Sequence, residues 1–253
     1  TTDLSPIVRA IQALNPALLV ICSYPLDTVG MVKAMREVGF QPKMWGKTAL
    51  TKITAVRLEL LPDSNLPRGG PGRSIFGTAA LSEFEMRIAP DGTSIADWDK
   101  WTRVEVASAI ADVNAPERPL GSQFHKREKE NRITGPIAFA IDGKAETAWT
   151  TDIDPFSRNE MHEAIFTLKT PLEVPAGHMI GFRPAQQHGG WNSDDNQNYN
   201  LGRFRFSVTD SETLPSQILP ERVRNVLAAT VRSEDDERTL FAQWRQSDLE
   251  LFE

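Results

Sequence analysis

Hydrophobic and polar residues alternate along much of the chain after residue 47, and this pattern predicts a mainly β protein. Alternation with a period of two is typical of a strand with one buried face. It is clearest where Phe204, Phe206 and Val208 alternate with polar residues. The same pattern recurs around Val56, Phe84, Val104 to Val106, Phe166 and Ile180. In the segment around Val56, we expect Arg57 and Glu59 to face water.

The arrangement of these segments predicts the fold class. Many short strands separated by loops rich in Gly, Pro, Asn and Asp, without a convincing helix between them, favour an antiparallel jelly-roll sandwich over residues 47–212. We therefore expect a mainly β chain with a short α/β fragment before the sandwich and a helical tail after it.

Residues 1–46 have a different pattern, which predicts an α/β fragment. Ser5 and Pro6 have the residue types of a helix start, and a second helix ends at Gly39. Between these helices, the continuously apolar run 17–23 predicts a buried strand. Cys22 lies in this run and is the one cysteine of the chain, so no intrachain disulfide is expected.

Residues 213–253 predict a linker and two helices. The first spans about 221–229, and we expect Leu227 to face inward together with Val223 and Val226. Ser233 and the acidic residues after it cap the second helix. That helix contains Leu240, Phe241 and Trp244. Because isolated short helices are marginal in water, we expect the tail to dock on something.

Composition excludes several classes of protein. The chain has 253 residues, with 28 Lys and Arg against 34 Asp and Glu, which gives a formal net charge of −6. A phosphate-backbone binder normally shows a basic stripe, so we expect no nucleic-acid partner. No apolar run approaches the roughly 20 residues that cross a bilayer, so we expect no membrane span.

The segment 140–149, AIDGKAETAW, resembles the A-x-D-G-x-x-x-T-x-W pattern of discoidin or coagulation-factor type C domains, which are galactose-binding-like jelly rolls. The runs 53–84 and 200–209 are similar to the version found in planctomycete-type, cytochrome c-linked multidomain proteins. The resemblance implies a periplasmic or extracellular location and neighbouring domains of a larger protein. Haem is not implied, since the chain has no Cys-x-x-Cys-His.

Residues 4–46 resemble a piece of the periplasmic binding proteins of branched-chain amino-acid ABC transporters. The likeness rests on SPIVRAIQ at 5–12 and VGFQPKMWG at 38–46, among other short runs. That family closes two complete lobes on its ligand, and this segment covers a fraction of one lobe. The resemblance therefore does not imply amino-acid binding by this segment.

The discoidin resemblance implies a structural calcium ion in the loop 139–147. Calcium takes six to eight oxygen ligands, partly carboxylate and partly carbonyl. The matching positions are the Phe139 and Lys144 carbonyls, the Asp142 carboxylate and Thr147, with Asp210 or Glu212 as a further carboxylate. The alternative is an ordinary turn in which Asp142 bonds its own backbone. We expect Trp149 to pack in the core.

A polar stretch at 186–199, between two predicted strands, suggests an exposed ligand-binding loop. An indole can pack on a sugar ring while amides, imidazoles and carboxylates bind its hydroxyls. The candidate contacts are Trp191, His188 and Asn192, with Arg183 nearby. Two alternatives stay open: a solvated loop whose tryptophan folds over the core, and a cation held by Asp194 and Asp195.

The sequence contains no convincing catalytic set. Ser193, His188 and Asp194 lie too close together along one loop to form a preorganised triad. We therefore expect a noncatalytic module that binds a glycan or a cell-surface polymer. The alternatives are a structural domain that holds its neighbours together, a remnant of a solute-binding protein, and an enzyme.

Overall fold

A computed structural model describes residues 52–120, 132–153, 155, 157–189 and 198–247, together with Ser5, Pro6 and Arg9. These three N-terminal residues are helical, in agreement with the helix predicted to start there. The remainder of the α/β fragment, including the predicted strand at 17–23 and Cys22, lies outside the described residues.

The described residues form eleven strands, which confirms a mainly β protein. The strands are β1 (Lys52–Leu61), β2 (Ala80–Leu81), β3 (Glu83–Pro90), β4 (Thr102–Val104), β5 (Val106–Ala111), β6 (Arg118–Pro119), β7 (Ile133–Gly135), β8 (Thr147–Thr150), β9 (His162–Glu173), β10 (His178–Ala185) and β11 (Arg203–Thr209). Each segment singled out by its alternating pattern contains at least one of these strands.

The strands form three sheets within the described part of the chain. Sheet 1 has the order β11-β1-β9-β5, sheet 2 has β10-β3-β4, and sheet 3 has β2-β8-β7-β6. Every pair is antiparallel except β7 and β8, which run parallel. The expectation of antiparallel sheets is therefore confirmed.

The inward residues of sheets 1 and 2 meet in one hydrophobic core. The rings of Phe84 and Phe166 stack with their centroids 4.1 Å apart, and those of Phe182 and Phe206 lie 4.9 Å apart. Aromatic pairs at such distances add to the free energy gained by burying their area. Trp149 is buried beside them and donates its indole N–H to the Val113 carbonyl at 3.0 Å, which confirms its core role.

One predicted strand is divided between two sheets. Val104 ends β4 in sheet 2, whereas Val106 begins β5 in sheet 1. The chain crosses at Glu105, whose carbonyl accepts the Lys169 N–H from β9 at 2.9 Å. The alternating pattern is the same on both sides of the crossing, so the pattern alone cannot reveal the change of sheet.

The prediction that Glu59 faces water is wrong, because other side chains cover it. Glu59 is 2% exposed and accepts two bonds from Arg205, at 2.6 and 2.7 Å. Glu163 lies opposite Glu59 on β9 and is also buried; it pairs with Arg57 at 2.8 Å and with Arg224. We call these five residues the arginine-covered face. The Arg205 hydrogen bonds lower the pKa of Glu59 against the opposing effect of burial.

Two helices follow the strands, as predicted. They are α1 (Glu221–Ala228) and α2 (Glu234–Ser247). Ser233 caps α2: Asp236 N–H donates to its hydroxyl at 3.2 Å, while Ser233 N–H donates to the Asp236 carboxylate at 2.8 Å. Leu227 was expected inward, but it is 48% exposed because α1 buries Val223 and Val226 instead. No helix among the described residues is long and apolar enough to span a membrane.

A short 3-10 helix, Ile95–Lys100, covers the outer face of sheet 2. Trp98 and Trp101 pack there with ring centroids 5.3 Å apart, and both indoles are largely buried. They lie against Gly181 of β10, where an added Cβ would approach the Trp98 ring to 2.4 Å. The missing side chain at 181 therefore makes room for the tryptophan pair.

Candidate functional site

The connection from β10 to β11 is the candidate binding loop. It leaves sheet 2 at Ala185 and enters sheet 1 at Arg203. Trp191, Asn192, Asp194 and Asp195 lie outside the described residues, so the predicted contacts at the loop tip stay predictions. The structure does describe the base of this loop, at 186–189 and 198–202.

The two sides of the loop base are joined to each other and to β2. Tyr199 N–H donates to the His188 carbonyl at 3.3 Å, and Leu201 N–H donates to the Gln186 side-chain oxygen at 2.6 Å. The Tyr199 carbonyl in turn accepts the Ala80 N–H at 2.7 Å. These bonds fix both ends of the loop tip to the body of the protein.

His188 lies inside the loop base. Its side chain is 0% exposed, with Nδ1 3.1 Å from the Ser82 hydroxyl and Nε2 3.1 Å from the Ile133 carbonyl oxygen. Burial lowers the pKa of His188. A carbonyl only accepts, so Nε2 carries the proton and Nδ1 accepts from Ser82. His188 therefore connects the loop base to Ser82 and Ile133. The sequence had suggested that this side chain contacts a ligand.

Ser82 is the second buried polar residue of the loop base. Its hydroxyl oxygen accepts the Gln187 N–H at 2.9 Å and also lies 3.1 Å from His188 Nδ1. Ser82 N–H donates to the Ala185 carbonyl, where β10 ends, at 2.9 Å. One small residue thus bonds to three residues of the β10 side of the loop.

Arg183 lies on the outer face of sheet 2 and is half-exposed. It pairs with Glu85 on β3, and its guanidinium carbon lies 5.5 Å from the centre of the Trp98 ring. Glu85 also accepts the Trp98 indole N–H at 3.2 Å and pairs with Arg87 at 3.3 Å. Arg183 therefore contacts Trp98 and Glu85 on the outer face of sheet 2, whereas His188 lies in the loop base.

In the loop proposed for calcium, Asp142 forms hydrogen bonds with residues of the same loop. Asp142 accepts the Lys144 N–H at 2.9 Å and the Thr147 hydroxyl at 2.9 to 3.0 Å. This is the turn arrangement that the sequence left open as an alternative. Phe139 N–H donates to the Pro136 carbonyl at 3.1 Å within the preceding 3-10 helix, Ile137–Ile141.

The further carboxylate suggested for calcium has a different partner. Glu212 is exposed and pairs with Lys52 at 2.9 Å. Within the described ranges, no group of three or more His, Cys, Asp or Glu side chains is arranged to hold a metal ion. Calcium stays a prediction.

Glu83 is a residue of this region that the sequence did not single out. Its carboxylate accepts the Gly143 N–H at 3.2 Å, beside Asp142. Burial, followed by the neighbouring negative charge of Asp142, raises the pKa of Glu83 to about 7. Sixty positions separate the two bonded residues, so local patterning gave no indication of this contact.

A surface pocket at the ends of β1 and β11 was also not predicted. We call it the end pocket; its volume is about 470 Å³, and its walls include Leu61, Met161, Arg203 and Arg222. Pockets of about 300 to 1,000 Å³ are typical of small-ligand sites. The wall residues come from four separate segments, and sequence spacing gave no sign that they meet.

Comparison with protein-family models, with curated proteins and with solved structures gives no match for this chain. An assignment of function therefore depends on the chain's own residues and on their arrangement.

Proposed function

We propose that this chain is a noncatalytic, discoidin-like jelly-roll module that binds carbohydrate through the loop between β10 and β11. The observation that supports this proposal most is the fixed base of that loop, in which His188, Ser82 and Tyr199 hold both ends. A tip of eight residues, 190–197, joins these ends and includes Trp191 and Asn192.

A fixed base favours binding because it reduces the conformational entropy that a loop loses when a ligand orders it. The tip offers one indole together with amide and carboxylate groups, which suit the two kinds of surface on a sugar. The paired faces of sheets 1 and 2 are filled by phenylalanine and aliphatic side chains. That packing favours binding at the loops over binding inside the sandwich.

The test is binding of the whole chain to a glycan array. We expect the Trp191→Ala variant to lose binding to every glycan on the array that the wild-type chain binds. Trp244→Ala is the matched control, because Trp244 is half-exposed on α2, outside the loop. The proposal would be contradicted if the wild-type chain bound none of the glycans on the array. It would also be contradicted if Trp191→Ala and Trp244→Ala lost glycan binding to the same extent.

The proposal includes a structural calcium ion and a periplasmic or extracellular setting, both supported by the discoidin resemblance. If calcium binds the folded state and not the unfolded chain, it raises the midpoint of thermal unfolding. An unchanged midpoint after addition of a chelator would remove calcium from the proposal. The setting would be contradicted if fractionation of the source cells recovered the protein in the cytoplasm.

A second candidate is a structural domain that binds its neighbours, and exposed apolar residues in the tail favour it. Phe241 and Trp244 are 57% and 48% exposed, and their rings contact each other with centroids 5.6 Å apart. Exposed apolar clusters often mark interaction surfaces. If this candidate is correct, the double substitution Phe241→Ser with Trp244→Ser should reduce association of the chain with its neighbouring domains in sedimentation, and the wild-type chain should bind no glycan on the array.

A further inference from the structure

The strand β11 lies at the edge of sheet 1, with β1 as its neighbour on one side. The Glu163 carbonyl on β9 accepts the Asp112 N–H at 3.0 Å, so the backbone groups of Glu163 face β5. Backbone groups alternate in direction along an antiparallel strand. The register of β9, β1 and β11 therefore directs the N–H and C=O groups of Phe204, Phe206 and Val208 away from β1. Within the described part of the chain, these groups have no hydrogen-bond partner.

The part of β11 that can accept another strand has a defined start. Gly202 N–H lies on the same side as the Phe204 N–H and donates to the Pro71 carbonyl at 2.9 Å. The segment 71–73 therefore occupies the position beside Gly202. An added strand can pair with the seven residues of β11, 203–209, which we call the free edge.

The other edge strands of the described sheets are short or interrupted. β2 and β6 have two residues each, and β4 has three. β5 has a register shift between Val106 and Ser108, and β10 contains Pro184, which has no N–H to donate. Short strands, bulges and proline are devices that keep sheet edges from pairing. The free edge has none of them, because its pairing with β1 is regular and it contains no proline.

We propose that the free edge pairs antiparallel with the free edge of a second copy of this chain, around a two-fold axis at Phe206. This register joins the outward backbone groups of Phe204, Phe206 and Val208 by about six hydrogen bonds. The three side chains are only partly buried within one chain. Opposite residues of paired strands point to the same face, so the side chains of each copy would cover those of the other. The same surface serves both copies, as a two-fold dimer requires.

Charge selects this register. With the axis at Phe206, Arg205 lies opposite Ser207 of the second copy, and Arg203 lies opposite Thr209 of the second copy. With the axis at Arg205, the arginines of the two copies would oppose each other directly. Like charges in that position destabilise a sheet. The free edge is therefore complementary to itself in one register, which favours a second copy over an unrelated strand.

The test is sedimentation equilibrium of the whole chain over a range of concentrations, in which we expect a dimer. Ser207→Lys should raise the dimer dissociation constant about tenfold, because the new charge opposes Arg205 at two symmetric positions. Ser207→Glu should lower it by a similar factor. Ser108→Lys and Ser108→Glu are the matched controls, because Ser108 is exposed on β5, the other edge of sheet 1. Since Ser207 also lies opposite Arg57 on β1, thermal unfolding verifies that each variant is folded.

Hydrogen exchange of single amides, measured by NMR, tests the pairing itself. The amides of Phe204, Phe206 and Val208 should be protected in the dimer and should exchange fast after dilution to the monomer. The amides of Arg205 and Ser207 face β1 and should be protected at both concentrations.

Three outcomes would overturn the inference. The first is a monomer at every concentration, or a dissociation constant that is equal in Ser207→Lys and Ser207→Glu. The second is protection of the Phe206 amide in the monomer, because another segment of the same chain would then cover the free edge. The third is loss of the dimer in Phe241→Ser with Trp244→Ser, which would assign the association to α2. None of these outcomes affects the glycan proposal, which the array tests separately.

Discussion

The arginine-covered face and the start of β3, next to the loop base, each contain a carboxylate at an outward strand position, and the two environments are opposite. Glu59 on β1 is surrounded by guanidinium groups, which keep its pKa below the usual value. Glu83 on β3 accepts a backbone N–H and lies beside Asp142, and burial raises its pKa to about 7. What covers an outward residue, rather than its place in the alternation, therefore determines its charge.

The arginine-covered face and the loop base also differ in the kind of hydrogen bond that stabilises them. Charged hydrogen bonds join sheet 1 to α1 through Arg224 and Glu163. In the loop base, neutral bonds of Ser82 and His188 join sheet 2 to the loop. Replacing one group in each region tests this distinction, and the expected effects decrease in the order given below.

The largest expected effect comes from Arg205→Ala. It removes two charged hydrogen bonds from Glu59 and also part of the cover over its carboxylate, so we expect the free energy of unfolding to fall by about 2 kcal/mol. Urea denaturation measures the change. Arg203→Ala, on the same strand, is the control and should cost about 0.5 kcal/mol or less. Equal losses in the two variants would contradict the special role of the covered pair.

Ser82→Ala should have a smaller effect, confined to the loop base. It leaves the Gln187 N–H and His188 Nδ1 without a partner, which costs about 1 to 2 kcal/mol. Hydrogen exchange should become faster at 186–189, with sheet 1 unchanged. Ser108→Ala is the control, since Ser108 is exposed on β5. Uniformly faster exchange across both sheets would show that the loop base is not a separate unit.

Glu83→Gln should have the smallest effect, and its sign depends on pH. The folded state holds the Glu83 proton more tightly than the unfolded chain does, so its stabilising contribution is complete below pH 4.5 and is lost as the pH rises through about 7. Glutamine keeps the bond to Gly143 and removes this loss. We expect a gain of about 1 kcal/mol at pH 8, limited because the group stays partly solvated.

Thermal unfolding at pH 5 and pH 8 measures the Glu83 effect. His188 is present in both proteins, so its own titration cancels in the comparison. Glu212→Gln is the control, because the Glu212 carboxylate is exposed and bonded to Lys52. In that variant, the midpoint of thermal unfolding should differ between pH 5 and pH 8 as it does in the wild-type chain. A Glu83→Gln protein with the wild-type pH dependence would contradict the assignment.

The alternating pattern predicted the strands well because burial of one face is a local property. The segments around Val56, Phe84 and Phe166 are strands as expected. Glu59 was wrongly placed in water because its cover comes from Arg205, 146 residues away. Leu227 was wrongly placed inward because the helical pattern does not reveal which face of a short helix meets the sheet.

The site was less predictable than the fold. The alternation of β10 and β11 located the loop between them, but its length and polarity suggested a ligand contact for His188. The structure shows that residue bonded to Ser82 and Ile133. The end pocket depends on segments that are distant in sequence, and no spacing rule relates Leu61 to Arg222.

The glycine at 181 makes three positions at the outer face of sheet 2, namely 181, 98 and 101, interdependent during sequence change. A methyl group there would overlap the ring of Trp98 and come close to that of Trp101. A chain could therefore gain a side chain at 181 only after the indole at 98 had become smaller. Substitutions at these sites should accumulate in a fixed order, and a homologue with alanine at 181 should lack tryptophan at 98.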